Sequence, residues 1–144
     1  MPKQIVTSQS APSTGCGDPA KPPPIVQAIR WCNMLFVSGQ GPLDPQTKTV
    51  VEGDIEVQVR RTLANLETIL READAAFANV VNMRAVLREV ADFPPLQRCV
   101  PGRAQRRESH AYLRGRHAAP QGRQRRDRLR CHVRLTPRVR SVNL

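Results

Sequence analysis

The side chains best suited to chemistry lie in the last third of this chain. Residues 123–134, RQRRDRLRCHVR, contain six arginines in twelve positions and no lysine. Clustered guanidinium groups attract polyanions, so a nucleic-acid-binding arm is one interpretation of this stretch. Cys131 and His132 are metal-ligating residue types, but neighbouring residues of a strand point to opposite faces and would need ligands from elsewhere. We therefore predict no metal site.

The positive charge is divided sharply along the chain. The 144 residues carry a formal net charge of +11. Residues 1–94 hold nine lysines and arginines against ten acidic residues, whereas residues 95–144 hold fourteen arginines and only two acids, Glu108 and Asp127. That tail has a single aromatic residue, Tyr112, and hence no base-stacking platform of its own. We expect nucleic-acid binding by the tail to be non-specific and salt-sensitive.

The cysteines and the apolar residues point to the cytosol. The four cysteines are scattered without CxxC spacing, which favours free thiols over a zinc site or a disulfide framework: Cys16, Cys32, Cys99 and Cys131. No apolar run of about eighteen residues is present, and the first residues lack the apolar core of a secretory signal. We predict a cytoplasmic protein with no membrane partner.

The first half of the chain carries the signals of strands and turns. Residues 11–24 are rich in Pro, Gly and small polar types and read as a loop. Residues 25–29 and 34–37 favour strands separated by the turn RWCN, and the second run ends in SGQG, which suggests a close backbone approach. A turn at 44–47 and a short strand at 49–51 should follow.

The most regular pattern predicts a helix over residues 54–74. Apolar residues recur there at helical spacing: Ile55, Val59, Leu63, Leu66 and Leu70. Residues 79–90 alternate loosely and predict a strand packed on that helix. After Phe93 no apolar periodicity continues. The expected fold class is α+β, with a structured unit at residues 1–94 and an arginine-rich, irregular tail at residues 95–144.

Five segments of the first 93 residues form a specific combination of motifs: APSTG at 11–15, PIVQAI at 24–29, NMLFVSGQGPLDP at 33–45, VEGDIEVQVRRTLANLETILREADA at 51–75 and NVVNMRAVLREVADF at 79–93. With these segments the chain closely resembles the RidA/YjgF family of enamine and imine deaminases, also described as L-PSP endoribonucleases. The resemblance implies a chorismate-mutase-like mixed sheet with helices on one face, in a homotrimer with sites between subunits.

The resemblance also implies an activity and a set of site residues. Members hydrolyse 2-imino acids, such as 2-iminobutanoate and 2-iminopropanoate, to 2-keto acids and ammonia without a cofactor. An arginine clamps the substrate carboxylate and a glutamate manages the attacking water. Ser38 and Gly39 match the family's VSGQ serine and its neighbour, while Ile25 replaces the aromatic residue of one pocket wall. The catalytic arginine and glutamate have no counterpart in the tail, so no catalytic set is intact.

A one-base slip in reading frame accounts for the missing motifs. When the last two bases of each codon are read with the first of the next, residues 95–102 permit R-F-N-D-V-Y-R, which matches the family's second helix. Residues 121–131 permit K-G-V-N-V-E-I-D-C-V-A, which matches its final strand. Around 110–113 the shifted reading permits the catalytic arginine, and it permits Pro or Leu as well. On this hypothesis the tail lacks the second helix and closing strand, and a regular trimer is doubtful.

Overall fold

The computed structural model describes residues 2–12, 25–87 and 89–100, and the backbone of two further strands at 110–113 and 129–135. In chain order the elements are β1 (Gln4–Val6), β2 (Ala28–Trp31), β3 (Met34–Gln40), α1 (Ile55–Glu72), β4 (Val80–Leu87), α2 (Phe93–Cys99), β5 (His110–Leu113) and β6 (Leu129–Leu135). Short 3-10 turns at Phe77–Asn79 and Val90–Asp92 precede β4 and α2. The predicted α+β class is confirmed.

The strands form one six-stranded sheet in the order β1-β2-β3-β6-β4-β5. All neighbours are antiparallel except β4 and β5, which run parallel. The last of the described strands, β6, therefore lies in the middle of the sheet, where it joins the β1–β3 meander to the β4–β5 pair. This arrangement makes the sheet depend on contacts between distant parts of the sequence.

Helix α1 covers one face of the sheet and forms most of the core. Asp54 caps its first turn, because a side-chain oxygen of Asp54 accepts a hydrogen bond of 2.9 Å from the amide of Val57. The helix and sheet bury a continuous apolar cluster that includes Val59, Leu66, Ile69, Leu70, Ala28, Leu35, Val37, Met83, Ala85 and Leu87. The predicted helix at 54–74 is confirmed with ends within two residues.

Two strand predictions in the first half need correction. Strand β2 begins at Ala28 rather than at residue 25, because β1 ends at Val6 and pairs only with residues 28–30 of β2. The short strand predicted at 49–51 is wrong, since that segment forms a single bridge between Leu43 and Val50. Two backbone hydrogen bonds close a loop there. The amide of Asp44 donates to the carbonyl oxygen of Thr49, and the amide of Val51 donates to the carbonyl oxygen of Pro42, both at 2.9 Å.

The expectation that the second helix and the closing strand are lost is also wrong. Helix α2 runs across the predicted boundary between residues 94 and 95. Pro94 and Pro95 fit in its first turn, because the backbone N–H groups of that turn have no partner within the helix and proline has no N–H group. Strand β6, LRCHVRL, alternates apolar and basic residues. Its apolar residues Leu129, Cys131 and Val133 pair in register with the buried Leu87, Ala85 and Met83 of β4.

The remaining residues of the tail lie outside the described part of the chain, so the division at residue 94 stays a prediction about composition and origin. In the part that the structure describes, no helix is long and apolar enough to cross a membrane.

Candidate functional site

Ser38 and Gly39 lie in an irregular stretch of β3. Strand β3 pairs Val37 with Val133 and Gln40 with Cys131, so three residue steps on β3 oppose two on β6. One extra residue on one strand defines a β-bulge, which bends the strand and turns side chains in a new direction. Both Ser38 and Gly39 are half-buried. The bulge thus places the VSGQ turn at the junction of the meander and the central strand.

Both polar groups of Ser38 are engaged by the chain that leads into β2. Its amide donates to the carbonyl oxygen of Gln27 at 2.9 Å, and its hydroxyl donates to the carbonyl oxygen of Val26 at 2.6 Å. A hydroxyl whose proton is donated to a backbone carbonyl can still accept a hydrogen bond. In this geometry Ser38 fixes the backbone and can orient a ligand as an acceptor.

Ile25 is the third residue assigned to substrate binding, and it lies next to the contact that Ser38 makes. Ile25 directly precedes Val26 and is 53% exposed. An exposed isoleucine offers apolar surface but has neither the flat ring nor the polar tip of an aromatic residue such as tyrosine. The structure therefore brings residues 25 and 26 close to Ser38. The preceding residues 13–24 lie outside the described part of the chain.

Gln27 connects this segment to the N-terminal loop. Its side chain is buried and accepts from the amide of Ser8 at 2.5 Å, while its amide nitrogen approaches three carbonyl oxygens, those of Ser8 at 3.1 Å, Ala11 at 3.0 Å and Pro12 at 3.2 Å. One side chain thus satisfies several buried backbone groups, which would be costly to leave unpaired. Gln27 holds residues 8–12 against the start of β2.

A second amide fixes the chain on the other side of the bulge. Asn65 of α1 is buried and donates from Nδ2 to the carbonyl oxygens of Gly41 at 3.1 Å and Leu43 at 2.8 Å. Gln40 is also buried, with its Nε2 atom 3.4 Å from the carbonyl oxygen of Ser38. The VSGQ turn is therefore held from α1 as well as from β2.

The turn after the site is set by Asp44. Its Oδ1 atom accepts hydrogen bonds from the amides of Gln46 at 2.8 Å and Thr47 at 3.0 Å. The bonds from Thr47 and then Gln46, with a smaller contribution from the charge of Arg61, hold the pKa of the Asp44 carboxyl below its ordinary value. The charged form of Asp44 is the one that stabilises this turn.

The groups gathered around Ser38 are neutral hydrogen-bonding groups. Gln27, Gln40 and Asn65 can orient a polar ligand or the backbone around it, but none of them carries charge or transfers a proton at neutral pH. Strand β5, HAYL, contains no arginine. Within the described residues no group of three or more histidine, cysteine or acidic side chains could hold a metal ion.

Sequence reasoning missed Gln27 and Asn65 as organising residues. The available signal was a polar residue at a position that periodicity assigns to the buried side. Asn65 lies on the same side of α1 as Gln58 and Thr62, and all three are buried beside the apolar stripe. Such residues need partners when buried, and here Asn65 finds them in the loop after β3.

Solved structures share this arrangement of elements. RidA from the Antarctic bacterium Psychrobacter matches with a TM-score of 0.75 and 22% identity, covering 93% of this chain and 99% of that one. Yeast Mmf1 matches with a TM-score of 0.76 and 20% identity over 94% of this chain and 98% of its own. At these identities the likeness concerns the fold. The sheet order and the bulged third strand thus belong to a protein with the RidA-type α+β fold.

The sequence comparisons extend the likeness to the family. The model of the family described as endoribonuclease L-PSP matches residues 18–114. A RutC family protein of Pyrococcus abyssi is 38% identical over 94 residues, which are 65% of this chain and 68% of the relative. Reactive Intermediate Deaminase A of Arabidopsis thaliana is 33% identical over 91 residues, 63% of this chain and 45% of that protein. The chain belongs to the endoribonuclease L-PSP family, which includes the RutC and RidA proteins.

Proposed function

We propose that this chain is by descent a RidA-type deaminase of reactive 2-imino acids and that, as written, it is inactive. Family membership supports the descent, and the VSGQ turn held by Gln27 and Asn65 is the part of the site that the described residues retain. The observation that carries the proposed inactivity is strand β5, HAYL, which lacks the arginine that the family resemblance expects in that strand.

The proposed chemistry needs charge that the neutral groups around Ser38 do not supply. A guanidinium would bind the substrate carboxylate through two parallel hydrogen bonds, and a carboxyl group would deliver or accept the proton of the attacking water. The carbon–nitrogen double bond of the imine takes up water, and the tetrahedral product then releases ammonia to leave a 2-keto acid. No cofactor enters this scheme. Without the two charged groups, Ser38, Gly39 and Ile25 could bind an imino acid only weakly.

We further propose that residues 95–144 are encoded out of frame with the rest of the chain. The sudden change in charge at residue 94 supports this, and so does the one-base-shifted reading, which permits two family motifs in order and in one frame. The alignments with curated relatives, which cover about two thirds of both chains, are compatible with it. The arginine cluster at 123–134 is then a product of the reading frame, since GC-rich codons for Val, Asp, Ala and Gly shift into CGN arginine codons.

The same proposal bears on assembly and location. RidA-type sites lie between subunits, so a functional ancestor would be a homotrimer in the cytoplasm. In this chain residues 95–144 carry fourteen arginines and only two acidic residues. Repulsion between the tails of three copies would oppose their close packing. We therefore expect no stable trimer, to be checked by light scattering at low and high salt.

The decisive experiment compares two proteins. The first is the chain as written, and the second is produced from the same gene after deletion of one base near codon 94 or 95. Ammonia release is measured from an imine generated in situ by a pyridoxal-dependent dehydratase. The chain as written should hydrolyse it no faster than buffer, because each missing charged group contributes orders of magnitude to the rate.

The repaired chain should regain measurable turnover, reduced by Ile25 in the pocket wall. Circular dichroism and thermal unfolding of both proteins provide the control for folding. Clear turnover by the unrepaired chain would contradict its proposed inactivity, and a repaired chain that does not fold would contradict the frame hypothesis. Resequencing the source gene across codons 92–97 tests the frame hypothesis without any protein.

A second function, non-specific binding of nucleic acid, was suggested by the basic tail alone. This alternative rests on the charge of residues 95–144, which hold fourteen arginines and two acidic residues, and the binding should be non-specific and salt-sensitive.

A further inference from the structure

Helix α2 begins directly after a buried aspartate that has an unpaired oxygen. Asp92 occupies the N-cap position of this helix and is 8% exposed. Its Oδ2 atom is buried and has no hydrogen-bond partner, and within the part of the chain that the structure describes it is the only fully buried side-chain oxygen or nitrogen in this situation. Leaving a buried polar atom unpaired costs free energy, so this oxygen requires a physical explanation.

The two prolines at the start of α2 explain why Asp92 has no partner. An aspartate at an N-cap normally accepts a hydrogen bond from the backbone N–H group of the second or third residue of the helix. Since α2 begins at Phe93, those residues are Pro94 and Pro95. Proline fits in the first turn of a helix but has no N–H group to donate. Asp92 accordingly makes no capping hydrogen bond.

Helix α1 provides the comparison with a cap that is in use. Asp54 stands at the same position of α1, and its side chain accepts a hydrogen bond of 2.9 Å from the amide of Val57, the third residue of the helix. The backbone of Asp54 is extended, with φ −74° and ψ −179°. The backbone of Asp92 has φ −79° and ψ −4°, in the helical region. An N-cap residue is usually extended, so Asp92 has a side chain suited to a cap without the conformation of one.

We propose that Asp92 is an N-cap residue whose donor at position 95 is replaced by proline, and that α2 therefore opens locally while the core around α1 stays folded. A segment held by few buried contacts opens at a lower free energy than the core does. The inference concerns a weak helix start built into the fold, and it requires no ligand.

The contacts that remain to hold α2 are few. With seven residues, α2 is too short to be stable on its own. Its ion pair with α1, between Arg98 and Glu56, is largely exposed and contributes little. Leu96 is its one fully buried side chain. Three half-buried apolar residues of this segment also pack on the core: Phe93, Cys99 and Val100.

The position of the missing donor fits the proposed change of reading frame. On that proposal Pro94 is in frame and position 95 is the first shifted residue, where the shifted reading permits an arginine with its N–H group. An in-frame chain would then have a donor for Asp92 at the third residue of α2, as α1 has at Val57. This origin of Pro95 rests on the proposed function, whereas the missing hydrogen bond does not.

The first measurement compares the two caps by urea denaturation of the full chain. When a cap residue that makes its hydrogen bond is replaced by alanine, the equilibrium constant of unfolding rises by about fivefold. Asp54→Ala should show this increase. Asp92→Ala removes no hydrogen bond and removes a buried unpaired oxygen, so it should leave the constant unchanged or lower it. An increase of similar size in both variants would overturn the proposal.

The second measurement restores the donor. Pro95→Ala places an N–H group at the third residue of α2, and hydrogen exchange is followed at the amides of residues 97–100. The variant should slow exchange there by about fivefold when Asp92 is present, and it should not do so in the Asp92→Ala background. Loss of the proline makes the unfolded chain more flexible in both backgrounds, so the comparison isolates the new hydrogen bond. An equal effect in both backgrounds would contradict the missing donor.

Two controls show whether the opening is local. Pro45→Ala removes a proline from the turn at residues 44–47 and should not slow exchange in α2. In the unaltered chain, residues 97–100 should exchange at least about tenfold faster than residues 62–70 of α1. Equal rates in the two helices would show that α2 opens only when the whole protein unfolds, and the proposal would fail. Resequencing of codons 92–97 tests the origin separately, because a frame without a slip contradicts the frame proposal and leaves these measurements unaffected.

Discussion

The side-chain oxygen of Gln27 lies 2.5 Å from the amide nitrogen of Ser8, and this buried contact spans nineteen positions of the chain. The same side chain donates towards the carbonyl oxygens of Ser8, Ala11 and Pro12. In addition, the backbone carbonyl of Gln27 accepts from the amide of Ser38. Gln27 therefore ties the N-terminal loop and the VSGQ turn to one point at the start of β2.

Replacing Gln27 by leucine should destabilise the protein by about 1–3 kcal/mol, because buried backbone groups of residues 8–12 would lose their partner. The free energy of unfolding is measured by urea titration, and hydrogen exchange at the amide of Ser8 should accelerate. Gln46→Leu, in an exposed turn, is the matched control and should change stability by less than about 0.5 kcal/mol.

The variant Gln27→Glu keeps the size and shape of the side chain but replaces its hydrogen-bond donor with an acceptor, so it tests the donated hydrogen bonds alone. Glutamate keeps an acceptor for Ser8 but places an ionised oxygen towards three carbonyl oxygens, so it should be less stable than the wild type at neutral pH. Protonation restores a donor, and part of the loss should be recovered as the pH is lowered. A glutamate variant as stable as the wild type at pH 7 would argue against the donor role of Gln27.

Asn65 should contribute to stability through the loop that follows the VSGQ turn. Asn65→Ala removes the donors to Gly41 and Leu43 and should cost about 1–3 kcal/mol, measured by chemical denaturation. The control Thr68→Ala removes an exposed hydroxyl that donates to Ala64 within α1, and it should cost much less. Similar costs for the two variants would show that the loop does not depend on Asn65.

A strained residue two positions after the end of α1 offers a route to higher stability. Asp74 has a φ angle of 51°, and it lies in a Schellman-type end in which the amide of Ala75 donates to the carbonyl of Leu70 at 2.8 Å. An L-residue in this region costs about 1 kcal/mol relative to glycine, and a negative charge at the C-terminal end of a helix is also unfavourable.

Asp74→Gly should therefore raise the free energy of unfolding by about 0.5–1 kcal/mol and the midpoint of thermal unfolding with it. Asp74→Ala removes the charge but keeps the β-carbon, so it should gain less than the glycine variant. If alanine stabilised the helix end as much as glycine, the charge rather than the backbone angle would be the cause.

The turn at Asp44 should make a small contribution to the pH dependence of stability. The pKa of this carboxyl is lowered below 3.8 by the amide bonds of Thr47 and Gln46. A depressed pKa in the folded state means that the contribution is present above pH 3.8 and is lost as the pH falls through the lower, folded-state value. An NMR titration should therefore give a midpoint for Asp44 below that of an unfolded peptide.

Asp44→Asn tests the same turn through stability. Asparagine still offers an oxygen to the two amides but has no charge, so the wild type should be the more stable at pH 7 and the difference should vanish in strong acid. A difference between the two proteins that is constant from pH 7 to pH 2 would contradict the role of the charged form.

The sequence determined the features that depend on neighbouring residues. The helix at 54–74 was predictable because its apolar residues repeat at 3.6-residue spacing and Asp54 can cap its first turn without tertiary contacts. The division of charge at residue 94 is likewise a property of composition. The family resemblance rested on contiguous segments such as NMLFVSGQGPLDP.

The tertiary structure decided the features that depend on distant residues. Strand β6 was missed because a short strand gains its stability from pairing, here with Leu35 to Gln40 on one side and Val80 to Leu87 on the other. The hydrogen-bond partners of Gln27 and the backbone pairing of Phe36 with position 134 could not be predicted for the same reason. Local periodicity can be read directly from the sequence. The register between strands cannot, because it is set only when strands that are far apart in the sequence pair around a shared core.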